Sequence, residues 1–191
     1  MRILFAGGGT AGHINPAVAV ARYILKQQPE SDILFVGTTN GLEKELVEKA
    51  GFNIKYIDVL GFKRSIRVQN LVALAKAFVA YGQSVRIIKD FKPDAVIGTG
   101  GYVSGPVLAA AARLKIPTII HEQNVSPGLT SKILAKMVDV VCISFSQSRN
   151  SFKKAKKIIF TGNPLREELF GITREEARKT LGHDEKPFIA A

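Results

Sequence analysis

Hydrophobic residues in this chain fall into short blocks, spaced by longer stretches in which apolar and polar positions alternate with helical periodicity. Arg2–Ala6, Ile33–Val36, Ile54–Val59, Ala95–Ile97, Thr118–Ile120, Val140–Ile143 and Ile158–Phe160 are near-continuous runs rich in Val, Ile and Leu. Runs of that kind, without strict alternation, predict strands covered on both faces. Between them, Pro16–Lys26, Leu42–Ala50, Gln69–Asp90, Pro106–Leu114, Leu129–Met137 and Ser146–Phe152 read as helices. The repetition predicts an α/β fold, a doubly wound parallel sheet of Rossmann-like type. A strand order of 3-2-1-4-5 would set the first and fourth strands side by side at the switch point. Asn15-Pro16 has the chemistry of an N-cap followed by a first helical residue, so the first helix is expected to begin there.

The pattern changes after Phe160. Thr161-Gly162-Asn163-Pro164-Leu165-Arg166 is turn-rich, Thr173–Leu181 is an Arg/Glu-rich helical pattern, and Lys186-Pro187-Phe188-Ile189-Ala190-Ala191 resembles the opening of a strand. The expected division is a Rossmann-like domain over 1–160. Residues 161–191 then form a linker and the first strand of a second domain. A length of 191 residues fits one domain with the start of another.

Composition narrows the classes. An apolar fraction of 46%, with 23% charged residues and a mean hydropathy of +0.11, excludes a disordered chain. The single cysteine, Cys142, excludes an internal disulfide and a cysteine-rich zinc site. It lies within an apolar strand and reads as a buried structural thiol. The apolar run after Met1 is too short for a secretion signal, and no stretch reaches the roughly 18 apolar residues of a membrane span. A cytoplasmic protein with no integral membrane segment is expected. The net charge of +11 asks for an anionic partner: nucleic acid, a bilayer surface or a phosphorylated substrate.

Two glycine turns carry the candidate chemistry. Gly7-Gly8-Gly9-Thr10-Ala11-Gly12-His13 joins the first strand to the first helix, and Gly98-Thr99-Gly100-Gly101-Tyr102-Val103-Ser104-Gly105-Pro106 follows the fourth strand. Glycine permits close backbone approach, and a helix N-terminus offers free N–H groups to an anion. Two such turns facing each other across the switch-point crevice would suit a diphosphate. Gly7-x-Gly9-x-x-Gly12 also matches the dinucleotide fingerprint. The acidic residue expected at the end of the second strand is absent from Gly37-Thr38-Thr39, however. A dinucleotide-dependent oxidoreductase is therefore the weakest of the readings kept. His13 replaces the lysine of a nucleotide P-loop. At a helix N-terminus it suits a neutral imidazole, able to act as a base or a hydrogen-bond donor. His121-Glu122-Gln123-Asn124 ends the fifth strand at the same sheet edge. His183 carries no signal.

Taken together, Gly7–His13 with Asn15-Pro16-Ala17, Gly100–Pro106, His121–Asn124 and Gly162-Asn163-Pro164-Leu165-Arg166 resemble the MurG family of bacterial glycosyltransferases. The four motifs occur in order from Met1 to the final strand. Ala11 is the one departure, standing where the family has a second glycine. The resemblance implies the N-terminal domain of a GT-B enzyme that moves N-acetylglucosamine from UDP-N-acetylglucosamine. Its acceptor is an undecaprenyl-diphosphate-linked N-acetylmuramyl-pentapeptide, used in peptidoglycan synthesis, and the displacement is inverting. It implies His13 as the base for the acceptor hydroxyl, with Glu122 as an alternative or orienting group. Thr10, Ala11, Gly12, Asn124 and Arg166 would contact substrate, and the turns at Gly8, Gly9, Gly100, Gly101, Tyr102 and Ser104 the diphosphate. No cofactor and no metal are implied.

The charge then finds a place. Lys63, Arg64, Arg67, Lys76, Arg86, Lys89 and Lys92 accompany one acid, Asp90, along the third helix and its approach. Leu71, Leu74, Phe78, Tyr81, Val85 and Ile88 recur at helical spacing and are expected to face the core. Val68, Val72 and Val79, edged by Lys76 and Arg86, widen the apolar arc into a candidate contact with an anionic membrane surface. A peripheral enzyme on the cytoplasmic face of the cell membrane is expected, with no nucleic-acid partner. Arg149, Lys153, Lys154, Lys156 and Lys157 read as solubilising charge. The alternative is a non-catalytic module that recruits a separate donor-binding chain to the membrane.

Overall fold

The computed structural model describes residues 1–61, 68–167 and 170–182, with side chains throughout except at 68–72. The expectations for Lys63, Arg64, Arg67, His183, the strand at Lys186–Ala191 and the side chains of Val68, Leu71 and Val72 lie outside the described residues. The elements run β1 (Arg2–Gly7), α1 (Ala11–Gln27), β2 (Asp32–Gly37), α2 (Leu42–Lys49), β3 (Asn53–Tyr56), α3 (Val68–Phe91), β4 (Ala95–Gly100), α4 (Gly101–Arg113) and β5 (Thr118–Glu122). There follow α5 (Leu129–Leu134), β6 (Val140–Ile143), a 3-10 helix (Ser146–Phe152), β7 (Ile158–Phe160) and α6 (Arg174–Thr180). The sheet has the order β3-β2-β1-β4-β5-β6-β7, every pair parallel. The expected order is present, and β1 and β4 are neighbours.

β1 and β2 each show one exposed residue followed by five buried ones, because helices cover both faces of the sheet. Leu4 and Ala6 point to one face, packing with Val107, Leu108 and Ile88 from α4 and α3. Ile3 and Phe5 point to the other, against Ile14, Ala17, Val18 and Val47 from α1 and α2. Phe5 stacks on Phe35 at 5.1 Å between ring centroids.

Both glycine turns hand over to helix earlier than their prolines suggest. Thr10, with extended backbone at φ −147°, caps α1, and Pro16 sits inside the helix. Gly100 precedes α4, and Pro106 likewise sits inside. Each proline forgoes a backbone bond, yet burial of Ala17, Val18 and Ala21 in α1, and of Val107, Leu108 and Ala111 in α4, carries the helix through. The glycines thus form the first helical turns themselves.

α3 keeps the expected core contacts of Tyr81, Val85 and Ile88 but departs from expectation at Leu74 and Phe78. Ala73, Ala80, Ser84 and Ile88 are buried, while Leu74 is 47% and Phe78 71% exposed. Small residues let α3 lie close against α4, and the larger side chains are left on the outer flank. After β7, the Thr161 N–H bonds to the Ile143 carbonyl and Glu167 pairs with Lys26 in the last turn of α1. The capping box of Thr173 and Glu176 then starts α6.

Candidate functional site at the carboxyl edge of the sheet

The turn after β1 is packed from behind by a residue that the sequence pattern did not single out. Glu43, in the first turn of α2, is 1% exposed. Its carboxylate accepts the Gly9 N–H at 3.2 Å, the Thr38 N–H at 2.8 Å and the Thr38 hydroxyl at 2.6 Å. A Cβ at Gly8, Gly37 or Gly41 would run into the Glu43 side chain, so three glycines make room for one carboxylate. The acid absent from Gly37-Thr38-Thr39 is thus supplied from α2, yet buried. Gly8 is buried as well, leaving Gly9, Thr10 and Gly12 as the exposed part of this turn. A glutamate just beyond a Gly-Thr-Thr-Asn-Gly turn was the only available signal, and it also fits an ordinary acidic first turn.

The turn after β4 is packed differently. Gly100 and Gly101 have φ of +102° and +76°. A Cβ on Gly100 would lie 2.7 Å from His13 Nδ1, and one on Gly101 would overlap the Gly8 carbonyl oxygen. The two turns therefore touch and form a single floor, where two separated banks were expected. Ser104 is fully buried, bonded to the Ala6 and Gly100 carbonyls and to the Gly100 N–H, so it braces the turn from beneath. Tyr102 is half-buried, its ring over Gly9; a Cβ on either Gly9 or Gly61 would come 3.2 Å from it. Neither α1 nor α4 has a side-chain cap, so no capping side chain takes up their first-turn N–H groups.

His13 stands at the junction. Its Nδ1 is 3.0 Å from the Thr99 carbonyl and 3.3 Å from Gln123 Oε1. Both partners only accept, so Nδ1 carries a proton, and in the neutral ring the lone pair is on Nε2. Gln123 donates from Nε2 to the Thr99 carbonyl at 2.9 Å and to His121 Nδ1 at 3.0 Å. His121 in turn donates from Nε2 to the Gly162 carbonyl at 2.9 Å. Burial holds the His121 pKa below the ordinary histidine value, against opposing contributions from the Gly162 carbonyl and Glu122.

Glu122, 2% exposed, accepts the Asn124 N–H at 3.0 Å, Asn124 Nδ2 at 2.8 Å and the Gly128 N–H at 3.3 Å. It is placed to orient: with its amide nitrogen bound inward, Asn124 presents Oδ1 outward. Arg166 is exposed on the crossing between the anchors at Gly162 and Glu167. Cys142 lies half-buried in β6, where burial pushes its thiol pKa up.

Beside this polar floor opens an apolar cavity of about 430 Å³ between α3, α4 and α5, lined by Leu74, Phe78, Tyr81, Tyr102, Pro106, Leu129, Ile133 and Met137. Tyr102 belongs to both. Of the residues expected at a membrane contact, Val79 and Arg86 are exposed, and Lys76 is paired with Asp58 at 2.7 Å. Lys132, Lys136, Lys153 and Lys154 line a second cavity of about 370 Å³ that shares Leu129 and Ile133 with the first. Among the described residues no helix is long and apolar enough to cross a membrane.

Residues 3–143 match the model of the glycosyltransferase family 28 N-terminal domain. The chain belongs to that family. It is 54% identical, over 95% of its length, to the UDP-N-acetylglucosamine–N-acetylmuramyl-(pentapeptide) pyrophosphoryl-undecaprenol N-acetylglucosamine transferase of Acetivibrio thermocellus, and covers 49% of that protein. It is 55% identical to the transferase of the same name from Caldanaerobacter subterraneus subsp. tengcongensis, covering all of this chain and 53% of that one. The crystal structure of Acinetobacter baumannii MurG superposes with a TM-score of 0.69 at 34% identity, over 87% of this chain and 46% of that one. The chain thus spans about half the length of the curated relatives it matches.

Proposed function

We propose that this chain is the acceptor-binding part of an inverting N-acetylglucosaminyltransferase of peptidoglycan synthesis. Residues 1–160 form the acceptor domain, and 161–191 lead into the donor-binding domain. The donor is UDP-N-acetylglucosamine and the acceptor the undecaprenyl-diphosphate-linked N-acetylmuramyl-pentapeptide. One observation carries the reading: Tyr102 lies against Gly9 of the first glycine turn and also lines the apolar cavity. A diphosphate joined to a sugar at one end and a polyprenyl chain at the other has that same sequence of polarities.

In this mechanism His13 Nε2 takes the proton of the acceptor's 4-hydroxyl while that oxygen attacks the anomeric carbon of the donor sugar. A new glycosidic C–O bond forms, the bond to UDP breaks, and the configuration inverts. The first-turn N–H groups of α1 and α4 hold the acceptor diphosphate beside Gly9, Gly101 and Tyr102. Thr10, Ala11, Gly12, the outward Oδ1 of Asn124 and Arg166 face the donor. In the full-length enzyme, His13→Ala is expected to cut transfer by roughly 100-fold or more with the fold intact, as loss of a general base does. Near-normal transfer would overturn the base assignment.

The chain is proposed to work peripherally on the cytoplasmic face of the cell membrane. The exposed Leu74, Phe78 and Ile133 enter the lipid surface, and the neighbouring lysines meet anionic headgroups. Three or four such cations contribute roughly 3–4 kcal/mol, enough for reversible docking. Co-sedimentation with anionic vesicles should fall when Phe78 becomes Asp and when salt is raised. Binding indifferent to both would overturn the docking reading.

A further inference from the structure

We propose that Gln123 is a positioning residue that holds the His13 ring in its Nδ1–H form, and that the Gly162 carbonyl sets the direction of the Gln123 amide through His121. The inference rests on the reading of His13 as the base.

A series of polarities, each dictated by the last, carries it. The Gly162 carbonyl can only accept, so His121 Nε2 carries that ring's proton. His121 is 6% exposed and neutral, which leaves Nδ1 as an acceptor. Gln123 must then present its NH₂ group to His121, at 3.0 Å, and the second hydrogen of that group meets the Thr99 carbonyl at 2.9 Å. Its Oε1 is left turned toward His13 Nδ1 at 3.3 Å, where Thr99 offers a second acceptor at 3.0 Å. Reversing the amide would set donor against donor at His13 and acceptor against acceptor at both Thr99 and His121. The ring itself lies flat on Gly100, where any side chain would displace it. The base is thereby tied, through two side chains, to the segment that leaves the sheet after β7.

Other titratable groups around His13 stand further back. Glu122 is reached through β5 and is committed to Asn124 and Gly128, Glu43 is buried behind Gly9, and Tyr102 covers Gly9 from the α4 side. The first turns of α1 and α4 contain no acidic residue. A change at Gln123 is therefore read at His13 without a competing charge from either helix.

The test uses the full-length enzyme labelled with nitrogen-15 at histidine, in the wild-type and Q123L and Q123E forms, with the pH profile of transfer measured for each. In the wild type His13 should give a pyrrole-type signal at Nδ1 and a pyridine-type signal at Nε2. In Q123L only the Thr99 carbonyl remains on Nδ1, so the two signals should move partway toward each other and kcat should fall by roughly tenfold with little change in KM, as expected when a catalytic histidine loses an orienting partner. Q123E keeps an acceptor toward His13 and adds a charge, so the acid limb of the profile should move to higher pH. Signals and profiles unchanged in both variants would overturn the proposal. Failure of the base reading looks different. It would appear as normal transfer by H13A, with the His13 signals of Q123L still moving as stated.

Discussion

The two glycine turns read alike in sequence, and each introduces a helix with a proline inside it. They differ in what stands behind them. The turn after β1 is filled by a carboxylate, since Glu43 already holds the Gly9 N–H. The turn after β4 is filled by an imidazole ring lying on Gly100 and a serine bracing it from below. A glycine turn offers backbone donors in both cases, but only the neighbours decide whether those donors reach a ligand. Each turn has spent a donor on the protein itself, the Gly9 N–H on Glu43 and the Gly100 N–H on Ser104, the first through a charged partner and the second through a neutral one.

The sharpest way to break this comparison is to force the turns apart. Gly101→Ala adds a methyl where the Gly8 carbonyl stands and does so at positive φ. It should cost about 3 kcal/mol of stability, combining backbone strain with overpacking. Gly12→Ala is the control, because its nearest neighbour would be Thr10 Oγ1 at 3.6 Å, an ordinary contact. Denaturant midpoints that moved equally for the two would show that the turns are not in contact.

Next in size is Glu43→Gln. It keeps one accepting oxygen but sets an NH₂ group among three donors, and should lose about 2 kcal/mol. Amide hydrogen exchange at Gly9 and Thr38 should accelerate more than at Gly101. Equal acceleration in both turns would mean that Glu43 supports the whole edge and not the first turn alone.

The smallest effect concerns the β5 end of the second turn's network. Burial lowers the folded-state pKa of His121, so the unfolded chain binds that proton more readily. The stability is complete above the ordinary histidine pKa of about 6.5 and is lost as pH falls below it, at no more than about 1.4 kcal/mol per pH unit. The slope of unfolding free energy against pH should flatten over that window in His121→Phe. An unchanged slope would assign it to other groups.

Much of this was legible in the chain. Unalternating Val/Ile/Leu runs give the strands, and the strand–helix rhythm gives the order that brings His13 and His121–Asn124 to one edge. The helix starts were misread because proline is a local signal, and burial further along α1 and α4 outweighs it. Leu74 and Phe78 were expected inside because they recur at helical spacing with Tyr81, Val85 and Ile88, whereas the small Ala73, Ala80 and Ser84 are the buried residues along that part of α3. Glu43 escaped notice because its inward turn depends on Gly8, Gly37 and Gly41 together, a coincidence of three separate segments. Gln123 looked like one member of a polar cluster until the donors and acceptors around it were fixed in space.

The outward Leu74 and Phe78 of α3 matter for the protein in free solution as well. Leu74 and Phe78 with Leu129 and Ile133 form a sticky flank, and two such flanks meeting in water would bury one another. The net charge of +11 opposes that meeting over distances near the Debye length, about 8 Å at physiological salt and about 3 Å at 1 M. Colloidal stability should therefore fall as salt rises. The cations proposed to meet an anionic bilayer are also what keeps one molecule from settling on the next.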